Sequence, residues 1–215
     1  MLSAIDVRFR YRRGGPWVLD GASLTVAPGE VVGLRGPSGT GKTTLARLLA
    51  GYLTPDGGRG LVDGEPSPSQ GRSPVQLVLQ HPELAVDPRW RLGEIVAEGG
   101  SVDDALLSEL AIAPAWLGRY PHELSGGELQ RAAVARALAA RPRSVIADEV
   151  SAMLDPLTQA QIWQVLRTRA RSGALGLLAI SHDDALLSAV CDRVLDFASG
   201  AVTEPRPAES AAVRV

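Results

Sequence analysis

The chain reads as an α/β fold: a mainly parallel sheet, an antiparallel β subdomain at the amino end and a helical subdomain inserted in the middle. Three observations predict it. Short apolar runs at 31–34, 144–147 and 175–180 alternate with helix-like stretches, the pattern of right-handed crossovers between parallel strands. Two early segments, 2–9 and 22–27, alternate apolar and polar residues as half-exposed antiparallel strands do. Between about 83 and 141 the texture changes to short helices rich in Ala, Leu and Glu.

Taken in order, the first strand (2–9) is followed by a turn at Arg12-Arg13-Gly14-Gly15-Pro16, and the second (22–27) by Pro28-Gly29. Val31-Val32-Gly33-Leu34 is short, apolar and β-branched, the composition of a fully buried strand. From Lys42 to Ala50 the period becomes helical, with Leu45, Leu48 and Leu49 on one face and Gly51 as the stop. Strands are expected near 60–63 and 75–79, flanking a Pro/Ser/Gly loop at 64–74. The longest helix of the lobe runs from Gly127 to about Ala140, ahead of Pro142. Strands return at 144–147 and 175–180, separated by helices at 156–171 and 183–190, and a polar, Pro-containing tail from 204 to 215 is expected to fray. The expected organisation is one domain over 1–203, with its core at 1–82 and 142–203, its helical lobe at about 83–141, and a flexible tail.

Composition narrows the function classes. The net charge of -2 gives no bulk attraction to nucleic acid or anionic lipid. No apolar run reaches the roughly 18–20 residues that span a bilayer, so membrane contact is expected only through a partner. The amino end lacks the pattern of a signal peptide, and the single cysteine, Cys191, suits a reducing cytoplasm. Among the 22 basic residues, every one except Lys42 is Arg. The bland reading is a coding bias towards Arg. The one Lys falls in a Gly-rich loop, where a compact ammonium fits a crowded phosphate cradle that a planar guanidinium does not.

That loop, Gly36-Pro37-Ser38-Gly39-Thr40-Gly41-Lys42-Thr43, fits G-x-x-x-x-G-K-[ST], directly after a buried strand and opening a helix. Its glycines let backbone N–H groups converge on phosphates, and the helix start adds the positive end of its dipole. Lys42 supplies a point charge to the β- and γ-oxygens, and the Thr43 hydroxyl can coordinate Mg²⁺. An accidental Gly/Ser turn would not need that strand and that helix. The loop alone leaves ATPases, GTPases and small-molecule kinases open.

A second anion-binding helix start lies at Leu124-Ser125-Gly126-Gly127-Glu128-Leu129-Gln130-Arg131: Ser125 caps the helix and the glycines allow close approach to a ligand. Together with the phosphate loop, this segment resembles the signature motif of the ATP-binding cassette (ABC) ATPases. The family's other landmarks follow in order. Tyr11, 25 residues before Gly36, is similar to the aromatic residue that stacks on adenine. Gln80 at the end of 75–79 resembles the Q-loop glutamine. Ser144-Val145-Ile146-Ala147-Asp148-Glu149 resembles the Walker B strand and its catalytic acid, Leu154-Asp155 the end of the D-loop, and Ser181-His182-Asp183 the switch histidine. The resemblance runs from about 2 to 203.

The resemblance implies a P-loop ABC ATPase fold with ATP and Mg²⁺ as cofactors. It implies nucleotide contacts from Tyr11, from the loop residues Gly36, Pro37, Ser38, Gly39, Thr40, Gly41, Lys42, Thr43 and Thr44, and from Ser125, Gly126, Gly127 and Glu128. It places Mg²⁺ near Thr43, Gln80 and Asp148, with catalytic roles for Glu149, His182, Gln80 and Asp155. It further implies a head-to-tail dimer, homomeric or heteromeric, in which one subunit's Ser125-Gly126-Gly127 acts on ATP held by the other. The remaining implied partners are transmembrane permease subunits, with the protein peripheral on the cytoplasmic face of the membrane.

Gln80-His81-Pro82-Glu83, Asp87-Pro88-Arg89-Trp90 and Arg119-Tyr120-Pro121-His122-Glu123 resemble the peptide/nickel importer branch, which leaves peptide and metal ion open as substrates. Those importers have a longer helical lobe; here 43 residues separate Gln80 from Leu124. Two positions depart from the family pattern: Val150 stands where a Pro is frequent, and Met153 interrupts the usual Ser-Ala-Leu-Asp. The alternative reading is an ABC ATPase acting on DNA or the ribosome. Such proteins usually carry tandem cassettes, coiled-coil insertions or basic segments, and this chain shows one cassette and a net charge of -2.

Overall fold

Two sheets build the molecule in the computed structural model, which describes residues 1–66 and 71–203. The tail expected at 204–215 and part of the loop at 64–74 lie outside the described residues. Strands β1 (Leu2–Phe9), β2 (Leu19–Val26) and β4 (Gly57–Val62) form an antiparallel sheet in the order β2-β1-β4. Strands β3 (Val31–Arg35), β5 (Val75–Val78), β6 (Ser144–Asp148), β7 (Gly176–Ile180), β8 (Arg193–Ala198) and β9 (Ala201–Thr203) form the second sheet, in the order β5-β6-β7-β3-β8-β9. All its pairings are parallel except β8 with β9.

The second sheet is buried on both faces, and successive residues on a strand serve different cores. On β7, Leu178 and Ile180 join a cluster with Leu45 and Leu49 of helix α1 (Lys42–Leu49) and with Leu2 and Leu24 of the antiparallel sheet. Leu177 and Ala179 point the other way, to α4 (Gly126–Ala139), α5 (Pro156–Arg169) and α6 (Asp184–Val190). This explains why the core strands read as continuous apolar runs while β1 and β2 alternate. The helical lobe adds α2 (Leu92–Glu98) and α3 (Asp104–Glu109), whose Leu92, Val96 and Leu106 belong to the same cluster as the sheet's outer face.

Side-chain caps set the helix starts. Ser125 Oγ accepts from Glu128 N at 3.3 Å while Glu128 Oε2 accepts from Ser125 N at 2.7 Å, a capping box that opens α4. Asp155 accepts from Leu157 N at 3.1 Å and Thr158 N at 3.0 Å at the head of α5, with Pro156 in its first turn.

Several expected boundaries move. β2 starts at Leu19 rather than 22, because Leu19 pairs with Phe9 and is fully buried despite the turn-like Asp20-Gly21 that follows. β4 starts at Gly57 rather than 60, its glycines lying against the bulged β1. α5 ends at Arg169 and passes through a π turn at 170–174 rather than continuing to 171. β8 and β9 were not anticipated as separate strands.

Arg131 ties these layers together. It is 8% exposed, and its guanidinium donates to Leu110 O at 2.9 Å and Thr158 Oγ1 at 3.0 Å, joining α4 to the end of α3 and to α5. Arg131→Met should lose about 2–3 kcal/mol, since a buried carbonyl and a hydroxyl lose a charged donor. Urea unfolding of both proteins checks this.

Candidate nucleotide site

The parallel register aligns the strand ends. Leu34 pairs with Ile180, Ile180 with Asp148, and Val78 with Ala147. The segments that leave β3, β5, β6 and β7 therefore emerge at one edge of the sheet, the carboxyl edge where open α/β sheets bind ligands. A cleft of about 480 Å³ opens there, lined by Tyr11, Val18, Ser38, Gly39, Gly41, Lys42, Thr43, Thr44, Gln80, Asp148, Glu149 and His182.

The phosphate loop is held by backbone fit. A Cβ on Gly36 would stand 2.2 Å from Phe197 O, so only glycine lets β3 pass so close to β8. Gly41 sits at φ 111° against Val18, a conformation that L side chains avoid. Lys42 is 7% exposed, and its ammonium donates to Gly36 O at 2.7 Å and Pro37 O at 2.9 Å, inside the ring of the loop. Thr40 Oγ1 also donates to Pro37 O, at 2.8 Å. Strand β3, the loop and α1 thus place a cation and a set of backbone amides at the sheet edge.

Adjacent carboxylates take different environments. Asp148 closes β6 and is 5% exposed; burial pushes its carboxyl upward, and a hydrogen bond from Thr43 opposes that shift. Glu149 adopts φ 51°, a left-handed conformation uncommon outside glycine. Its Oε1 accepts from His182 N at 3.1 Å and lies 2.9 Å from His182 Nδ1, and its Oε2 accepts from Ser181 Oγ at 3.4 Å. The hydrogen bond and charge of Glu149 raise the His182 imidazole above its ordinary 6.5.

Thr43, Gln80 and Asp148 all line the cleft and offer oxygen donors, from a hydroxyl, an amide and a buried carboxylate. That donor set fits Mg²⁺, which takes one or two protein oxygens and fills its octahedron with water and phosphate. No all-protein cage of three or more His, Cys, Asp or Glu occurs among the described residues.

The expected site residues divide. Tyr11, Ser38, Gly39, Gly41, Lys42, Thr43, Thr44, Gln80, Asp148, Glu149 and His182 meet in the cleft. Gly36 and Pro37 line a smaller hollow behind it, which His182 also borders. Thr40, Ser125, Gly126, Gly127, Glu128 and Asp155 are not among the lining residues of the cleft; Thr40 is bonded within the loop, and Ser125, Glu128 and Asp155 are engaged as helix caps. Sequence reasoning missed Val18, which carries no motif, and the bond from Ser181 to Glu149.

The His182 shift has a testable sign. A folded pKa above 6.5 makes the pair's stabilising contribution fully present below that pH and lost as pH rises through the folded value. The loss of thermal stability on His182→Gln should therefore be larger near about pH 6 than near about pH 9. Thermal unfolding of both proteins at the two pH values checks this.

A family model described as ABC transporter matches residues 19–152. The nickel import ATP-binding protein NikE of Pseudomonas putida is 40% identical, over 96% of this chain and 85% of its own length. A putative peptide import ATP-binding protein of Brucella ovis is 36% identical over 87% of this chain, which spans 65% of that relative's length. A solved dimeric ATP-binding cassette in a post-hydrolysis state, bound to ADP and Pi, shares the fold with a TM-score of 0.80 at 22% identity, covering 96% of this chain and all of its own. With that model matching more than half its length and a phosphate loop, a buried aspartate and a Glu–His pair in one cleft, the chain belongs to the ABC transporter family.

Proposed function

We propose that the chain binds and hydrolyses ATP to drive a membrane importer, in a site that a second cassette completes. The observation carrying this is the division of the site residues. Ser38, Gly39, Gly41, Lys42 and Thr43 of the phosphate loop share one cleft with Gln80, Asp148, Glu149 and His182, while Ser125-Gly126-Gly127 stands outside it at the exposed start of α4. A helix N-terminus with two leading glycines is built to meet an anion, and a head-to-tail partner would bring it over the phosphates.

In this reading the Lys42 ammonium, now on loop carbonyls, turns to the β- and γ-oxygens when phosphates enter. Thr43 and Asp148 would hold Mg²⁺, with Gln80 contributing from the segment after β5; bound there, the ion would offset charge on the phosphate oxygens. Glu149 orients the attacking water and polarises it. His182 holds the carboxylate of Glu149 in place and reaches the γ-phosphate through its free Nε2. Asp155 sets the head of α5 beside the partner-facing segment.

The relatives import nickel and peptides, and an importer of one of these classes is the assignment we favour. No described helix is long and apolar enough to cross a membrane, so attachment to the cytoplasmic face runs through permease subunits. The residues just after Gln80 supply a docking place: Leu84, Ala85 and Val86 line a groove of about 550 Å³ between the core and the helical lobe. Trp90 lies outside that lining, 40% exposed. The core at 1–82 and 142–203 and the lobe at 83–141 then act as one domain with two working surfaces.

Two outcomes test the reading. Glu149→Gln should lower the rate of phosphate release by about 10²–10⁴-fold, the range for losing a general base, while equilibrium ATP binding persists. ATPase activity per milligram should rise with protein concentration as half-sites pair. A rate per milligram independent of concentration would sink the shared site.

A further inference from the structure

The Tyr11 ring is fastened to the helix of the phosphate loop. Tyr11 Oη and Thr44 Oγ1 are 3.0 Å apart, joining the segment after β1 to the first turn of α1, two residues beyond Lys42. Thr44 is 7% exposed, whereas Tyr11 is 61% exposed, so a buried hydroxyl anchors the tip of a solvent-facing ring. The ring also packs against Phe9 in a T-shaped arrangement, with centroids 5.0 Å apart and planes at 86°. Phe9 is 8% exposed and part of the core between the sheets. Packed against Phe9 and with its hydroxyl on Thr44, the ring is restrained in the cleft that it lines together with Val18.

We propose that Thr44 is a positioning residue for nucleobase binding, acting through the Tyr11 hydroxyl. The proposal rests on the reading of this cleft as the nucleotide site. A base that stacks on a free aromatic side chain must immobilise it, at a cost of about 0.5–1.5 kcal/mol, equivalent to roughly 2–12-fold in affinity. Here Thr44 and Phe9 already restrain the ring. The tether also requires a phenol: Phe would offer the same stacking face and the same contact with Phe9, but nothing for Thr44 to hold. Because Thr44 follows the phosphate loop directly, the stacking surface is held at a fixed distance from the site of the phosphates.

The experiment separates nucleoside from phosphate. Equilibrium dissociation constants for ADP and for inorganic pyrophosphate, both with Mg²⁺, are measured by calorimetry on the full chain and on Tyr11→Phe, Thr44→Val, the double variant, Tyr11→Ala and Lys42→Ala. The ratio of the pyrophosphate constant to the ADP constant reports the nucleoside part, base and ribose together, and offsets an effect of Thr44 on phosphate that both ligands share. We expect the ratio to fall about fivefold in Tyr11→Phe and in Thr44→Val, and no further in the double variant, because both remove one hydrogen bond. Tyr11→Ala should lower it further by removing the stacking face. An unchanged ratio in Thr44→Val, or independent losses that multiply in the double variant, would overturn the tether. Lys42→Ala tests the parent reading: loss of both ligands keeps the cleft as the nucleotide site, and unaltered binding of both would remove the cleft and the tether together.

Discussion

A parallel sheet covered on both faces meets solvent only along its edges and at the ends of its strands. Here helix α1 and the antiparallel sheet close one face and α4, α5 and α6 close the other, so neither face of the sheet can present a ligand site. Backbone hydrogen bonding fixes the level at which each strand stops. Leu34, Ile180 and Asp148 lie side by side, and the residues after them enter one cleft from separate strands without any long loop having to find its place. Close packing extends that constraint into the phosphate loop, since Phe197 of β8 leaves no room for a side chain at Gly36. Rigidity of the sheet is therefore the source of the site's geometry.

Electrostatics divide the labour between two neighbouring acids. Asp148 is drawn into the sheet end, where burial makes its charge costly unless Thr43 or a cation answers it. Glu149 leaves the strand through a left-handed turn, which swings its carboxylate across to Ser181 and His182 on the adjacent strand end. The twist at Glu149 matters because side chains alternate along β6, and a regular continuation would send residue 149 to the opposite side from Asp148. Two carboxylates thus reach one cleft from consecutive positions, one suited to hold a cation and the other to orient and polarise a water.

The sequence revealed most where physical demands on residue type were strictest. The glycines of the phosphate loop and the lone Lys42 could be read because backbone approach to phosphate tolerates few substitutes. The α4 cap was legible because Ser125 and Glu128 stand at capping-box spacing. By contrast, β8 escaped notice because Arg193 and Asp196 interrupt its apolar pattern. Their charges are answered by distant partners, Glu30 and Arg35, that no local reading connects. Strand β9 is three residues long and, among the described residues, pairs only with β8. The Tyr11–Thr44 and Glu149–His182 contacts were illegible for the same reason: each joins residues more than 30 positions apart.

The two departures from the family pattern also separate once their surroundings are seen. Val150 is 2% exposed and packed in the core beneath the helices, where an apolar β-branched side chain replaces a ring of similar bulk. It lies next to Glu149 in the turn that closes β6. Met153 is 72% exposed, and Leu157 on the first turn of α5 is 69% exposed, with Asp155 between them capping the helix. Two large apolar side chains flanking a cap form a small surface that stays in water in the single chain. In the head-to-tail reading this surface faces the second cassette, so Met153 bears on pairing between subunits and Val150 on the fold of one. A thioether is flexible enough to pack against several shapes, which suits a surface that meets a partner.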